Sequence, residues 1–157
     1  MLDKITVGGI VLTIFVLLFL ANSIDTNLVE QVPSATNDIP SPQNRIEEEQ
    51  ILVTSDNVVI NVKNLRWAKF TDTNSMDPVI DSEANSLEVV PTDESEVHIG
   101  DIISYESVYG VLIHRVIDIK EDEKGIYYIV KGDNNETADP FKVRFADVTG
   151  IVVGVLY

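Results

Sequence analysis

Three short polar islands interrupt a chain otherwise rich in apolar and β-branched residues. They are Asn74-Ser75-Met76-Asp77-Pro78, His114-Arg115-Val116, and Lys131-Gly132-Asp133-Asn134-Asn135-Glu136-Thr137-Ala138-Asp139. Between them they hold a hydroxyl, an imidazole and several carboxylates. A Ser hydroxyl is a weak nucleophile until a neighbouring group takes its proton. A neutral His can take it, and a carboxylate behind the ring fixes the tautomer and stabilises the imidazolium. Ser75 is therefore the candidate nucleophile and His114 the candidate general base. Asp133 or Asp139 is the acid that orients the ring.

Each of these residues has a plainer reading when taken alone. A Ser before Met-Asp-Pro is a turn residue, since Pro78 breaks a strand. His114 lies in the apolar run 111–117, and a lone His there is an ordinary hydrogen-bonded core or surface residue. Period-2 alternation puts Leu112, His114 and Val116 on one face and Ile113, Arg115 and Ile117 on the other. Asp-Asn-Asn is a good turn sequence in its own right. Asp133, Asn135 and Asp139 lack the Gly and Glu of an EF-hand loop, so a calcium site is not expected. The second histidine, His98, sits in a polar stretch and reads as solvated. Lys63, Lys69, Lys120 and Lys131 are bases in principle, but Lys is normally solvated. No Cys is present, which removes disulfides, thiolate zinc sites and Cys nucleophiles. The three islands together, in this order, carry the functional reading.

These groups need a rigid frame. Residues 25–50 contain Pro33, Pro40 and Pro42 with Ser, Asn and Gln and no sustained apolar periodicity, and read as a linker. A short helical turn is expected within 45–50. From Ile51 onward, β-branched runs alternate with turn residues. Strands are expected at 51–54, 58–62, 65–71, 87–90, 101–105, 111–119, 126–130 and 148–156. Residues 121–125 read as a hairpin loop. The expected architecture is a mainly β, antiparallel domain over residues 51–157 with one hydrophobic core closed by curled sheets. Ser75 would then sit at a strand end, exposed yet well positioned. Trp67 and Phe70 lie nearby in sequence and read first as core residues, with the substrate groove or lipid as the alternative.

The order of the boxes resembles the type I signal peptidases, more closely their archaeal and endoplasmic-reticulum branch. The matching residues are Ser75-Met76-Asp77-Pro78, Gly100-Asp101-Ile102-Ile103, His114-Arg115-Val116, Gly132-Asp133-Asn134-Asn135 with Asp139, and the closing Asp147-Val148-Thr149-Gly150-Ile151-Val152. The resemblance covers about residues 65–157. It implies a β-sheet peptidase domain preceded by one transmembrane helix, and a Ser75-His114-Asp139 triad with Asp133 as a supporting acid. It also implies an oxyanion hole made by the Ser75 N–H with the Thr73 hydroxyl. Bacterial members usually place a Lys where this chain has His114. Two positions depart from the pattern: Asn74 stands where Gly often precedes the Ser, and residues 79–91 lack a Gly-Asp pair.

The chain of 157 residues carries a formal charge of −15. Seven acidic and two basic residues fall in 1–50, nineteen and nine in 51–157, so the acid excess is spread and not a tail. That argues against a nucleic-acid partner, which needs basic patches. Residues 5–21 are apolar apart from Thr6 and Thr13, and the run extends to Ile24 if Asn22 and Ser23 are included. About 20 helical residues cross a bilayer core. An uncleaved anchor over residues 1–24 is expected, although Ala21-Asn22-Ser23 also reads as a small-x-small cleavage site. Lys4 precedes the run and acidic residues follow it, which puts the N-terminus in the cytoplasm and the rest outside.

The resulting expectation is a single-pass, cell-membrane serine endopeptidase that removes signal peptides from exported preproteins. It would need no cofactor or metal, would meet membrane lipid, and would work beside the protein-export machinery. Two rivals fit the same residues. One is a peptidase of the same fold with a dedicated membrane or pilin-like substrate, its specificity reshaped by residues 79–91. The other is a non-catalytic, membrane-tethered β-domain that binds partners. Convergence of Ser75, His114 and an Asp within hydrogen-bond reach separates the enzymes from the last.

Overall fold

The computed structural model describes residues 39–157. The expected anchor and the first part of the expected linker lie outside the described residues. Among the described residues, no helix is long and apolar enough to cross a membrane. The described residues form eight strands: β1 (Ile51–Val53), β2 (Val58–Ile60), β3 (Leu65–Lys69), β4 (Asn85–Val89), β5 (Ile102–Ser107), β6 (Gly110–Asp122), β7 (Gly125–Lys131) and β8 (Val148–Leu156). All pairings are antiparallel, so the domain is mainly β as expected. The only helical pieces among the described residues are three-residue 3-10 turns at Glu48–Gln50, Glu94–Glu96 and Phe145–Asp147.

Six strands make one sheet in the order β3-β4-β8-β5-β6-β7, and β1 pairs only with β2. The expected single core is instead two clusters. Ile103, Tyr105, Val116, Tyr128, Val130 and Ile151 belong to the larger one. Met76, Ile80, Ile102 and Val152 form the smaller, with Phe70, Ile113 and Val155 against it. The cause is the pleat. Successive side chains point to opposite faces, so Ile102 and Ile103, or Ile151 and Val152, enter different clusters. β5 is covered on both faces: it is buried over Ile102–Tyr105 without a break, the polar Ser104 included. Each large aliphatic side chain removed from water in this way contributes about 1.5–3 kcal/mol.

The segment from Ile39 to Arg45, read as linker, lies against the domain. Its attachments are polar, so no apolar period announced them. Gln43 N–H donates to Asp101 Oδ1 at 3.0 Å and Arg45 Nη2 to Asp101 Oδ2 at 2.5 Å, while Arg115 Nη1 donates to Pro40 O at 3.1 Å. Asp101 is fully buried. Gly100, at φ +99°, lets the segment approach: a Cβ there would stand 2.1 Å from Ser41 O. The β1–β2 hairpin is different. Ile51, Leu52, Val53, Val58 and Val59 are all exposed.

Candidate active site

Ser75 lies in the loop that follows β3. Met76 beside it is buried in the smaller cluster and pins the loop. Val79 N–H and Ile80 N–H both donate to Met76 O, at 3.2 and 3.1 Å, so the chain turns sharply after the Ser. Asn74 takes a positive φ of 57°, a conformation that Asn tolerates better than most residues.

A second loop, between β7 and the residues around Asp139, clamps this turn. Asn134 N–H donates to Ser75 O at 3.0 Å, and Asn134 Nδ2 donates to Asn74 O at 2.9 Å. Gly132 is required by closeness: a Cβ there would lie 2.5 Å from Ser75 O. The Gly132-Asp133-Asn134-Asn135 box thus holds the candidate nucleophile by its own backbone.

His114 stands on β6, opposite Ile103 of β5 and one strand in from the β7 end of the sheet. It is 6% exposed. Its Nε2 lies 3.1 Å from Ser75 Oγ, and its Nδ1 lies 2.7 Å from Asp139 Oδ2. Asp139 is itself fixed by its N–H, which donates to Val130 O at 2.9 Å. The hydroxyl, ring and carboxylate therefore form a continuous hydrogen-bonded line. With Nδ1–H donating to the carboxylate, Nε2 is left as the acceptor facing Ser75, the tautomer a general base needs.

Of the two candidate acids, Asp133 stands against Arg115 and not against the ring. Arg115 Nε and Nη2 donate to Asp133 Oδ1 and Oδ2 at 2.8 and 2.6 Å, a bidentate pair. Arg115 follows His114 directly, so its side chain leaves the opposite face of β6. Its remaining donor serves Gly100 O at 2.9 Å as well as Pro40 O. Asp133 makes no hydrogen bond or ion pair to His114.

Thr73 Oγ1 lies 3.3 Å from Ser75 Oγ. The hydroxyl expected to serve an oxyanion thus stands beside the oxygen of the candidate nucleophile. His98 is half-exposed and lies 3.7 Å from Asp101 Oδ2, away from Ser75. Among the described residues, no group of three His, Cys, Asp or Glu side chains is arranged to hold a metal.

Two features have no counterpart among the sequence expectations. Tyr105 donates its hydroxyl to Asp139 Oδ2, the oxygen that also takes His114. Burial, and then the Asp139 carboxylate, push its phenol well above the ordinary Tyr range. The second feature is Glu88, fully buried on β4. Its carboxylate accepts from Ser104 Oγ at 2.7 Å, Ser86 Oγ at 3.1 Å and Arg66 Nη2 at 2.8 Å. Alternation identified the strands that carry both residues. Their partners depend on strand register, which alternation leaves open.

The line of groups opens into a cleft of about 270 Å³, walled by Phe70, Thr73, Met76, Ile80 and Ile113 with Arg66 and Ser104 at its polar side. One wall is β3, an end strand of the six-stranded sheet. No family model matches the chain, and no curated protein is similar to it at a significant level.

Proposed function

We propose that this protein is a membrane-anchored serine endopeptidase of the signal-peptidase type, acting on signal peptides of exported preproteins. The observation that carries the proposal is the Ser75 Oγ–His114–Asp139 Oδ2 line, with contacts of 3.1 and 2.7 Å, at the wall of a cleft. His114 Nε2 takes the Ser75 proton as Oγ attacks the scissile carbonyl. Asp139 stabilises the imidazolium so formed. The ring then returns the proton to the departing amine, and water, activated by the same ring, resolves the acyl-enzyme. Each proton moves over a single hydrogen bond, so every step lies within reach of the residues already in place.

Among the described residues one edge of β3 is unpaired, which suits an extended substrate. An end strand carries unpaired N–H and C=O groups along one side. A peptide laid there pairs by backbone bonds and presents alternate side chains to the cleft. The apolar run over residues 5–21 would tether the domain to the membrane, with the catalytic part on the extracytoplasmic side. Tethering raises the effective concentration of the site at membrane-inserted substrates.

The test is cleavage of a membrane-inserted preprotein by the full chain in lipid vesicles, beside its Ser75→Ala variant. Wild type should release the mature part, and the variant should lose on the order of 10⁴ or more in rate. Equal cleavage by a folded Ser75→Ala protein, or none by wild type, would sink the proposal.

A further inference from the structure

We propose that Tyr105 is a positioning residue whose hydroxyl holds the Asp139 carboxylate against His114 and tempers how strongly that carboxylate draws on the ring; this rests on reading Ser75, His114 and Asp139 as a proton relay. A single oxygen, Asp139 Oδ2, carries both contacts: His114 Nδ1 at 2.7 Å and the Tyr105 hydroxyl. The Tyr105 oxygen also lies 3.3 Å from His114 Nδ1. That nitrogen bears a proton directed at Asp139 and offers no lone pair, so the Tyr105 proton goes to the carboxylate.

The placement follows from register. On β5 and β6, Ile103 faces His114 and Tyr105 faces Leu112. Tyr105 and His114 are therefore diagonal neighbours on one face, within reach of long side chains. Their ring centroids are 6.3 Å apart, and Phe141 packs on the other side of Tyr105 at 6.2 Å. Tyr105 is 0% exposed, so water has no access to replace its donor. Its raised phenol keeps the proton throughout the neutral range, and the contact is a permanent donation to a charged acceptor.

A donor on a carboxylate disperses its charge. Removing the donor leaves Asp139 a stronger partner for the imidazolium, so the ring should hold its proton to higher pH. Other groups around the ring do not supply this effect. Ser75 contacts the far nitrogen, Arg115 and Asp133 pair with each other on the other face of β6, and Arg66, paired with Glu88, and Lys69 lie along the cleft.

The experiment is imidazole ¹⁵N NMR of the full-length chain in lipid nanodiscs. With two His in the sequence, His114 is resolved by comparison with a His98→Gln spectrum. Tyr105→Phe keeps the ring packing and deletes one oxygen. The His114 midpoint should rise by about one pH unit relative to wild type, the order of one hydrogen bond to a charged group. In an Asp139→Asn background the same exchange should move nothing, because the carboxylate through which Tyr105 acts is gone. Tyr128→Phe deletes a hydroxyl from the same core that donates to Glu94 O, and should leave His114 unmoved. An unchanged or lowered midpoint in Tyr105→Phe overturns the proposal. So does an equal rise in the Asp139→Asn background or in Tyr128→Phe. Labelling of Ser75 by a fluorophosphonate runs in parallel, and its acid limb should move up with the ring. A Ser75 that stays inert in wild type overturns the peptidase reading alone, since the ring titration decides Tyr105 without turnover.

Discussion

Asp133 and Asp139 bring the same carboxylate to one loop, and their surroundings divide them. Asp139 meets an imidazole and a phenol; Asp133 meets the two-pronged face of Arg115. Different consequences follow from removing each. Asp139→Asn keeps the shape but can hold the ring in the wrong tautomer and cannot stabilise its charge. The cleavage rate should fall by about 10⁴ with little change in melting temperature. Asp133→Ala breaks a pair whose side chains are only 9% and 10% exposed, leaving a guanidinium without its carboxylate. Stability should drop by about 3–5 kcal/mol, read from urea unfolding. If Asp133→Ala instead abolished cleavage at unchanged stability, the two roles would have to be exchanged.

Elements meet at two places where a small change should be felt. At the first, the turn holding Ser75 and the loop after β7 touch backbone to backbone at Gly132. Gly132→Ala must push Ser75 O away from its 2.5 Å encounter with the new Cβ. A displacement of the nucleophile on that scale costs on the order of 10² in kcat. Steady-state kinetics with a circular-dichroism check would show it; an unchanged kcat would mean that the two loops move together. At the second, the β6–β7 hairpin is tied to the chain before β8. Lys142 Nζ and Arg144 Nη2 donate to Asp122 Oδ2 at 2.6 and 2.8 Å. Lys142, and then Arg144, hold the Asp122 carboxyl far below the usual carboxylate range. A carboxyl that is harder to protonate when folded than when unfolded adds stability above its unfolded value of about 4 and loses it as pH falls below that. Wild type should therefore exceed Asp122→Asn in stability at pH 7, and the gap should close progressively in acid. A gap that persisted unchanged at pH 2 would rule out the ionic origin.

At the scale of the molecule, the segment 39–46 acts as a strap. Asp101 is buried and accepts from Gln43 N–H, Arg45 and His98 N–H, and Arg115 reaches back to Pro40 O. The strap and the loop that holds Ser75 share Arg115, which joins Pro40, Gly100 and Asp133. A chain beginning at residue 25 should keep the stability of the domain. One beginning at residue 47 strips Asp101 of the Arg45 guanidinium and should be weaker by about 3–5 kcal/mol, the cost of a broken buried ion pair. Thermal unfolding of the two truncations compares them directly, and equal melting temperatures would show that the strap merely rests on the surface.

Much of the frame was legible from residue order. The eight strands follow from runs of apolar and β-branched residues and from the turn residues between them, such as Glu123-Lys124, because both are local properties of the sequence. The candidate Ser and His were legible as well, since few residue types can do such chemistry and the chain has only two His. What local order could not carry was every partnership formed across the fold. Asp133 and Asp139 are both near in sequence to a strand beside His114, and the competing Arg115 decides which of them meets the ring. Tyr105 enters through a register of β5 on β6 that alternation does not specify. The strap over residues 39–46 has no apolar period because its bonds go to Asp101 and Arg115, some 55 to 75 positions away. Patterns of two residues set which face a side chain takes; only packing and hydrogen-bond satisfaction over such separations decide what it meets there.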